Sequence, residues 1–366
     1  MTTETRAAAF DSLGRDQLDD PGNRFPLPET TILLLVGAAL GPAGIAVLTP
    51  RVLTLVDPAI PVALAALGVL LGARLSPKEQ GLRRVLAAAG VEAVFTGLTI
   101  GVAAYFAATL LLPGALDALT TACVAGVCAA TSSAALANDD ARPGWMRRVR
   151  DLDVLFPILA AGLLTAWLRE PTVGGALSLV AQACGATVIM AAAGWLLLSA
   201  SASATEQRII IVAVLLLVGG LADYLALPAL LGGVVAGLVW QRADARVADL
   251  VHREIGHVQH PLLALILLVA GARMTPSVTL LILAAGYLAL RAAAKAIGGR
   301  VAVRLAPGRP GGQAGALMFS GALGVAFAVN AYRIVGPDIA PMLTVVILGT
   351  IGSELLALPG RVAELE

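Results

Sequence analysis

Gly72-Ala73-Arg74-Leu75-Ser76-Pro77 closes one apolar run, and Gly271-Ala272-Arg273-Met274-Thr275-Pro276 closes another 199 positions later. Leu27-Pro28 opens the apolar run before the first of these, and Leu227-Pro228 opens the run before the second, at an offset of 200. Two matches at nearly one offset read as an internal repeat. Working outward, apolar runs between charged or Pro/Gly breaks predict helices near 28–48, 57–74, 86–112, 115–137, 151–168, 174–199, 208–223, 227–240, 260–273, 277–299, 312–333 and 338–358. The repeated helices are seven apart, an odd number, so they run in opposite directions. The expected fold is an all-α polytopic membrane protein with about 12 transmembrane helices and an inverted repeat. Repeat one covers about 27–168, a linker helix about 174–199, and repeat two about 207–360.

The composition agrees. Of 366 residues 58% are hydrophobic and only 13% charged, against about 25% charged in soluble domains. The apolar content fills roughly 10 to 12 spans of ~20 residues. Strands of ~10 alternating residues, the mark of a barrel, do not occur. A net charge of +1 predicts no nucleic-acid partner. Cys123, Cys128 and Cys184 lie in apolar runs without metal-ligand spacing and read as packing residues. Residues 1–26 carry mixed charge and no apolar core, which predicts a polar cytoplasmic tail rather than a cleaved signal peptide. On the predicted topology 19 of the 25 Lys and Arg residues fall on the side of the N-terminal tail. The positive-inside rule then places both termini in the cytoplasm of the inner (plasma) membrane.

Inverted repeats are the usual build of secondary transporters, with the substrate site near the midplane. The offset pairs helix 115–137 with 312–333, and helix 151–168 with 338–358. The first pair carries Gly126 and Thr131-Ser132-Ser133 on one side, and Ser320-Gly321 and Gly324 on the other. Such residues fit two readings: an unwound stretch whose freed carbonyls bind an ion, or close packing through small residues.

Charges inside a span cost about +2.5–3.5 kcal/mol on insertion scales and are functional candidates for that reason. Four stand out: Asp153, Arg291 and Lys295 at i, i+4 on one helix face, and Glu354, 201 positions after Asp153. A desolvated carboxylate holds either a proton or a monovalent cation, which is the minimal chemistry of exchange. Asp153 reads either as that carboxylate, with Lys295 neutralising it when empty, or as a solvated interfacial residue beside Arg147, Arg148 and Arg150. Arg291 and the possible secondary site residue Glu354 read as snorkelling or structural pairing. His252, His257 and His260 fit no strong ligand motif and read as a solvated loop between Arg246 and Pro261. No nucleophile–base pair or metal motif lies within a span, so neither an enzyme nor a cofactor is expected.

Several segments together resemble the membrane domain of the cation:proton antiporter superfamily, nearest its Kef-type branch. Leu27-Pro28 through Gly44 looks like that family's "LP…GxxLGPxGL" helix. Leu225–Trp240 (LALPALLGGVVAGLVW) is similar to its "GLxxxLGAFLAGL" helix, and Pro261–Met274 to its "PLxxLLxxFFxxxGM" stretch. Lys295–Arg304 (KAIGGRVAVR) resembles its lysine helix, and Gly321–Val329 (GALGVAFAV) the broken helix that follows. The match covers about residues 26–358. It implies a sodium/proton antiporter-like fold with two broken crossing helices, of which this chain begins at the second helix. It also implies a homodimer, and a core (86–112, 115–137, 151–168 and 277–358) that moves as an elevator. By resemblance Asp153 is the ion-binding aspartate, Thr131, Ser132 and Ser133 the polar break, and Lys295 the intramembrane lysine. The chain departs from the pattern at Leu152, where Asn, Asp or Gln is usual, and at Gly324, where Glu is frequent. It also departs in the short interval from Thr131 to Asp153.

The expected function is monovalent cation (Na⁺ or K⁺):proton antiport, the partners being the cation, the proton and the lipid bilayer. Two alternatives stand beside it: a carrier of the same fold that holds an organic anion on Arg291 and Lys295, and a non-transporting degenerate membrane sensor or scaffold.

Overall fold

The computed structural model describes residues 28–74, 82–111, 117–131, 155–201, 203–225, 227–305 and 321–363. Among these residues the chain forms thirteen α-helices and a short 3₁₀ turn. They are α1 (Glu29–Leu40), α2 (Pro50–Val56), α3 (Ala59–Arg74), α4 (Leu82–Leu111), α5 (Ala118–Ala130), α6 (Leu155–Arg169) and α7 (Val173–Ala200). Then come α8 (Ala204–Tyr224), α9 (Ala229–Ala243), α10 (Ala245–Ala272), α11 (Val278–Leu305), α12 (Ala322–Val335) and α13 (Ala340–Ala363). Local chemistry sets several ends. The Thr49 hydroxyl caps α2 ahead of Pro50, and Asp117 caps α5 by accepting from the Thr120 N–H at 3.1 Å. Gly336, at φ 104°, ends α12 in a backbone region that favours glycine.

Six helices are long and apolar enough to cross a membrane, and the bent pair α2–α3, at 44°, passes the same test together. Five more apolar helices are shorter, α5 and α12 among them. Exposed apolar side chains line the outer helix faces. On α4 the row Leu98, Val102, Phe106 and Leu110 recurs every fourth residue and is exposed, a surface suited to lipid and not to water.

Two expectations change. The helix expected over 28–48 ends at Leu40, where Gly41-Pro42 turns the chain and Ala46 takes a positive φ before α2. Proline cannot donate to a helix ladder and disfavours a helical predecessor. The loop expected around His252, His257 and His260 is helix throughout: α10 runs unbroken from Ala245 through Pro261 to Ala272. Its 28 residues span ~42 Å at 1.5 Å each, longer than the ~30 Å hydrocarbon core. The first half is therefore amphipathic. Val247, Val251 and Ile255 are buried at helical spacing while Arg246, Asp249 and Arg253 are exposed. Among the described residues no His/Cys/Asp/Glu group could hold a metal.

The helices pack in two sets. In one, α1 lies on α10 and α3 on α9, with α7 and α8 alongside; in the other, α4, α5, α11, α12 and α13 pack on one another. Backbone meets backbone at the crossings of the first set. A Cβ on Gly37 would overlap the Leu268 carbonyl, and one on Gly271 the Leu34 carbonyl. At the other crossing a Cβ on Gly72 would overlap the Val234 carbonyl, and one on Gly237 the Val69 carbonyl. Small residues permit this approach in a bilayer, where van der Waals packing drives helix association.

Candidate functional site

The short helix α5 stops inside the bundle. Its last turn and Thr131 are buried, so the carbonyls that a helix leaves unpaired at its C-terminus face protein and need donors. Two cations of α11 supply them. Arg291 donates through Nε to the Ala129 carbonyl at 3.0 Å and through a second guanidinium nitrogen to the Thr131 carbonyl. Lys295 Nζ donates to the Ala130 carbonyl at 3.1 Å. The i, i+4 spacing puts both on one face, and the negative end of the α5 dipole favours positive charge there. Both side chains are sealed from solvent, each 1% exposed. The Thr131 hydroxyl turns back to the Cys128 carbonyl at 2.7 Å.

A buried ammonium also needs a counter-charge. Glu92 of α4 provides it, with Oε1 at 3.4 Å from Lys295 Nζ and 1% side-chain exposure. One turn beyond Lys295, α11 carries Gly298, where a Cβ would sit 3.4 Å from Glu92 Cγ. The sequence reading omits Glu92. The signal was present, for Glu92 is the single acidic residue in the 30-residue apolar helix α4, the pattern that marks a functional candidate in a membrane.

The other candidate residues fall as follows. Lys295 and Arg291 come together at the end of α5, beside Thr131. Asp153, Ser132 and Ser133 lie outside the described residues. Glu354 of α13 stands apart, accepting a hydrogen bond from the Thr31 hydroxyl of α1 at 2.8 Å, which is the structural-pairing reading. Elsewhere Arg333 pairs with Asp223 at 2.8 Å and Arg208 with Glu254 at 2.8 Å. Arg273 pairs with Asp57 and lies over the Tyr332 ring, 4.8 Å from its centroid.

The fold that carries this arrangement resembles a solved structure. The sodium proton antiporter MjNhaP1 from Methanocaldococcus jannaschii superposes with a TM-score of 0.66 over 91% of this chain and 93% of that one, at 14% sequence identity. The chain shares that antiporter's fold. No family model matches the sequence, and no curated protein matches it. With its apolar helices, the chain is a multi-pass membrane protein.

Proposed function

We propose that the protein exchanges a monovalent cation, Na⁺ or K⁺, against H⁺. The observation that carries this reading is the buried Arg291–Lys295–Glu92 cluster at the broken end of α5, within a fold shared with a sodium proton antiporter. Charges this deep are costly, and a structural role alone would be met more cheaply by apolar side chains.

In this account Asp153 alternates between proton and cation. The hydroxyls of Thr131, Ser132 and Ser133 replace part of the ion's water, while the carbonyls at the end of α5 stay with Arg291 and Lys295. Lys295 and Arg291 compensate charge while Asp153 is empty, and Glu92 holds the Lys295 ammonium in place between turnovers. One carboxylate beside Leu152 favours one-for-one exchange; rates that follow an imposed membrane potential would sink that stoichiometry. Both cations are already engaged by α5 carbonyls, and Lys295 by Glu92 as well. This supports a cation substrate over an organic anion, which would have to displace those partners.

The crossings support an inverted repeat. Leu34/Gly37 and Val234/Gly237 stand at an offset of 200, and Val69/Gly72 and Leu268/Gly271 at 199, so each crossing repeats the other with its partners exchanged. A pseudo-two-fold axis between the halves generates this pattern. We assign the α4–α6 and α11–α13 set to a moving core and the remaining helices to a dimerising panel.

Purified protein in liposomes with a proton gradient, acid inside, tests the function. The account expects gradient-driven uptake of radiolabelled Na⁺ or Rb⁺ above that of empty liposomes. Uptake equal to empty liposomes overturns it. Binding of an organic anion that survives Asp153→Asn and fails in Lys295→Ala replaces it with the carrier reading.

A further inference from the structure

The C-terminal ends of α6, α8, α10 and α12 meet, and three arginines there form an unbroken string of contacts. Arg169, in the last turn of α6, donates to the Tyr224 carbonyl of α8 at 3.2 Å. Beside Tyr224, the Asp223 carboxylate accepts from Arg333, in the last turn of α12, at 2.8 Å. Beside Arg333, the Tyr332 ring lies under Arg273, the residue that ends α10, and Arg273 also pairs with Asp57 between α2 and α3. The helix dipole favours a cation in a last turn, but the dipole asks for no partner, and each of these guanidiniums reaches a different helix. On the predicted topology Arg51, Arg169, Arg273 and Arg333 are the Lys and Arg residues opposite the N-terminal tail. All but Arg51 belong to this string.

The string alternates between core (α6, α12) and panel (α8, α10). Arg169–Tyr224, Arg333–Asp223 and Arg273–Tyr332 each cross the boundary, while Asp57 fixes Arg273 within the panel. The boundary is packed differently from the sets it divides. Among the described residues, a Cβ added to a glycine strikes the backbone of another helix only within a set, as at Gly37 and Gly237 in the panel and at Gly126 against Gly97 in the core. Across the boundary, Gly162 of α6 meets the far end of the Leu231 side chain instead. Asp223 is 50% exposed, and a pair open to water holds weakly and breaks readily. The Thr31–Glu354 bond also crosses the boundary, but Glu354 lies ~20 Å along α13 from the start of that helix, far from this string.

We propose that Arg169, Arg273 and Arg333 form a latch that holds core against panel at this end, and that their contacts across the boundary break together when the core moves. This inference rests on the reading of α4–α6 and α11–α13 as a moving core. Neighbouring residues share the contacts, Asp223 with Tyr224 and Tyr332 with Arg333, so the loss of one displaces the next. Behind the latch, Ala166 of α6 lies about one turn before Arg169 and is sealed from solvent in a small apolar cluster with Ala176 and Leu227 of the panel. Ala166 meets water only when the latch opens. The string sets the share of molecules open at this end, and weakening it raises that share.

The test reads opening and not transport. Cys123, Cys128 and Cys184 are replaced by Ala, and Ala166→Cys is introduced into the full chain in nanodiscs. Its modification by a charged, water-soluble methanethiosulfonate is followed by mass spectrometry. Slow modification is expected in this parent, faster by up to about five-fold in Arg333→Gln or Tyr332→Leu, and faster still when both are combined with Arg169→Gln. Exchanging the pair, Arg333→Asp with Asp223→Arg, should return the slow rate. Ala191→Cys, sealed inside the panel where the Trp240 indole donates to its carbonyl at 2.8 Å, should react at one rate throughout. An Ala166→Cys rate that the triple variant leaves unchanged, or a rise at Ala191→Cys in step with it, overturns the latch. Cation exchange in liposomes is scored separately. Exchange with unchanged Ala166→Cys rates rejects the latch and keeps the antiport reading; faster rates without exchange keep the latch and reject that reading.

Discussion

Lys295 and Glu92 meet across α11 and α4 with Nζ and Oε1 3.4 Å apart, both sealed from solvent. Neither charge has water to fall back on, so removing one takes this counter-charge from the other. Glu92→Gln should lower stability by roughly 3–5 kcal/mol, read as a large drop in melting temperature in detergent. Adding Lys295→Met to Glu92→Gln should recover part of that loss. An unchanged melting temperature in Glu92→Gln would mean that the pair does not hold the bundle together.

The glycine crossings make a second, independent prediction. Gly37→Val and Gly237→Val push side chains into the Leu268 and Val69 carbonyls, and size-exclusion chromatography should show little folded protein for either. Gly185 and Gly256 have open space where a Cβ would go. Gly256→Ala should therefore be neutral or stabilise α10 by up to ~1 kcal/mol, the usual gain from removing a helical glycine.

Thr31 and Glu354 join α1 to α13. Thr31→Val keeps the shape and removes the hydroxyl donor, at an expected cost of about 1.5–3 kcal/mol for a hydrogen bond to a charged group. Thr31→Ser should retain most of the stability. Equal melting temperatures for the Val and Ser variants would deny the bond any role.

Much of the fold was legible in the sequence, because apolar period and Pro/Gly punctuation are both set by the bilayer. The missed boundaries have physical reasons. A proline at 42 sits where hydropathy alone still reads as span, and the first half of α10 is an amphipathic helix whose charged face looks like a loop to a hydropathy reading. The site was half legible. Arg291 and Lys295 announced themselves as charges within a span, but that they grip the end of α5 is a tertiary fact with no local signature. Glu92 carries the same signal as Lys295, a charge inside an otherwise apolar stretch of helix.

At the exposed head of α5 the Thr120 side chain, with backbone N–H groups beside it, holds the Asp117 carboxyl below its usual range, against a smaller opposing effect of burial. A carboxylate whose folded pKa is depressed contributes stability that is fully present above its unfolded pKa and lost as pH falls through the folded value. Asp117→Ala should cost about 1 kcal/mol near neutrality, and the difference from the parent should shrink on acidification below the ordinary carboxylate range. Melting temperatures measured across that window check both the size and the sign; a difference that grows toward acid pH would contradict the cap.

The central claim is cation-for-proton exchange at Asp153, and the most direct measurement is internal pH in dye-loaded proteoliposomes after an external pulse of Na⁺, K⁺ or Li⁺. The account predicts that the interior turns alkaline with at least one of these cations, and that the response disappears in a folded Asp153→Asn variant. No response to any of the three from folded protein, or an undiminished response in Asp153→Asn, would contradict it.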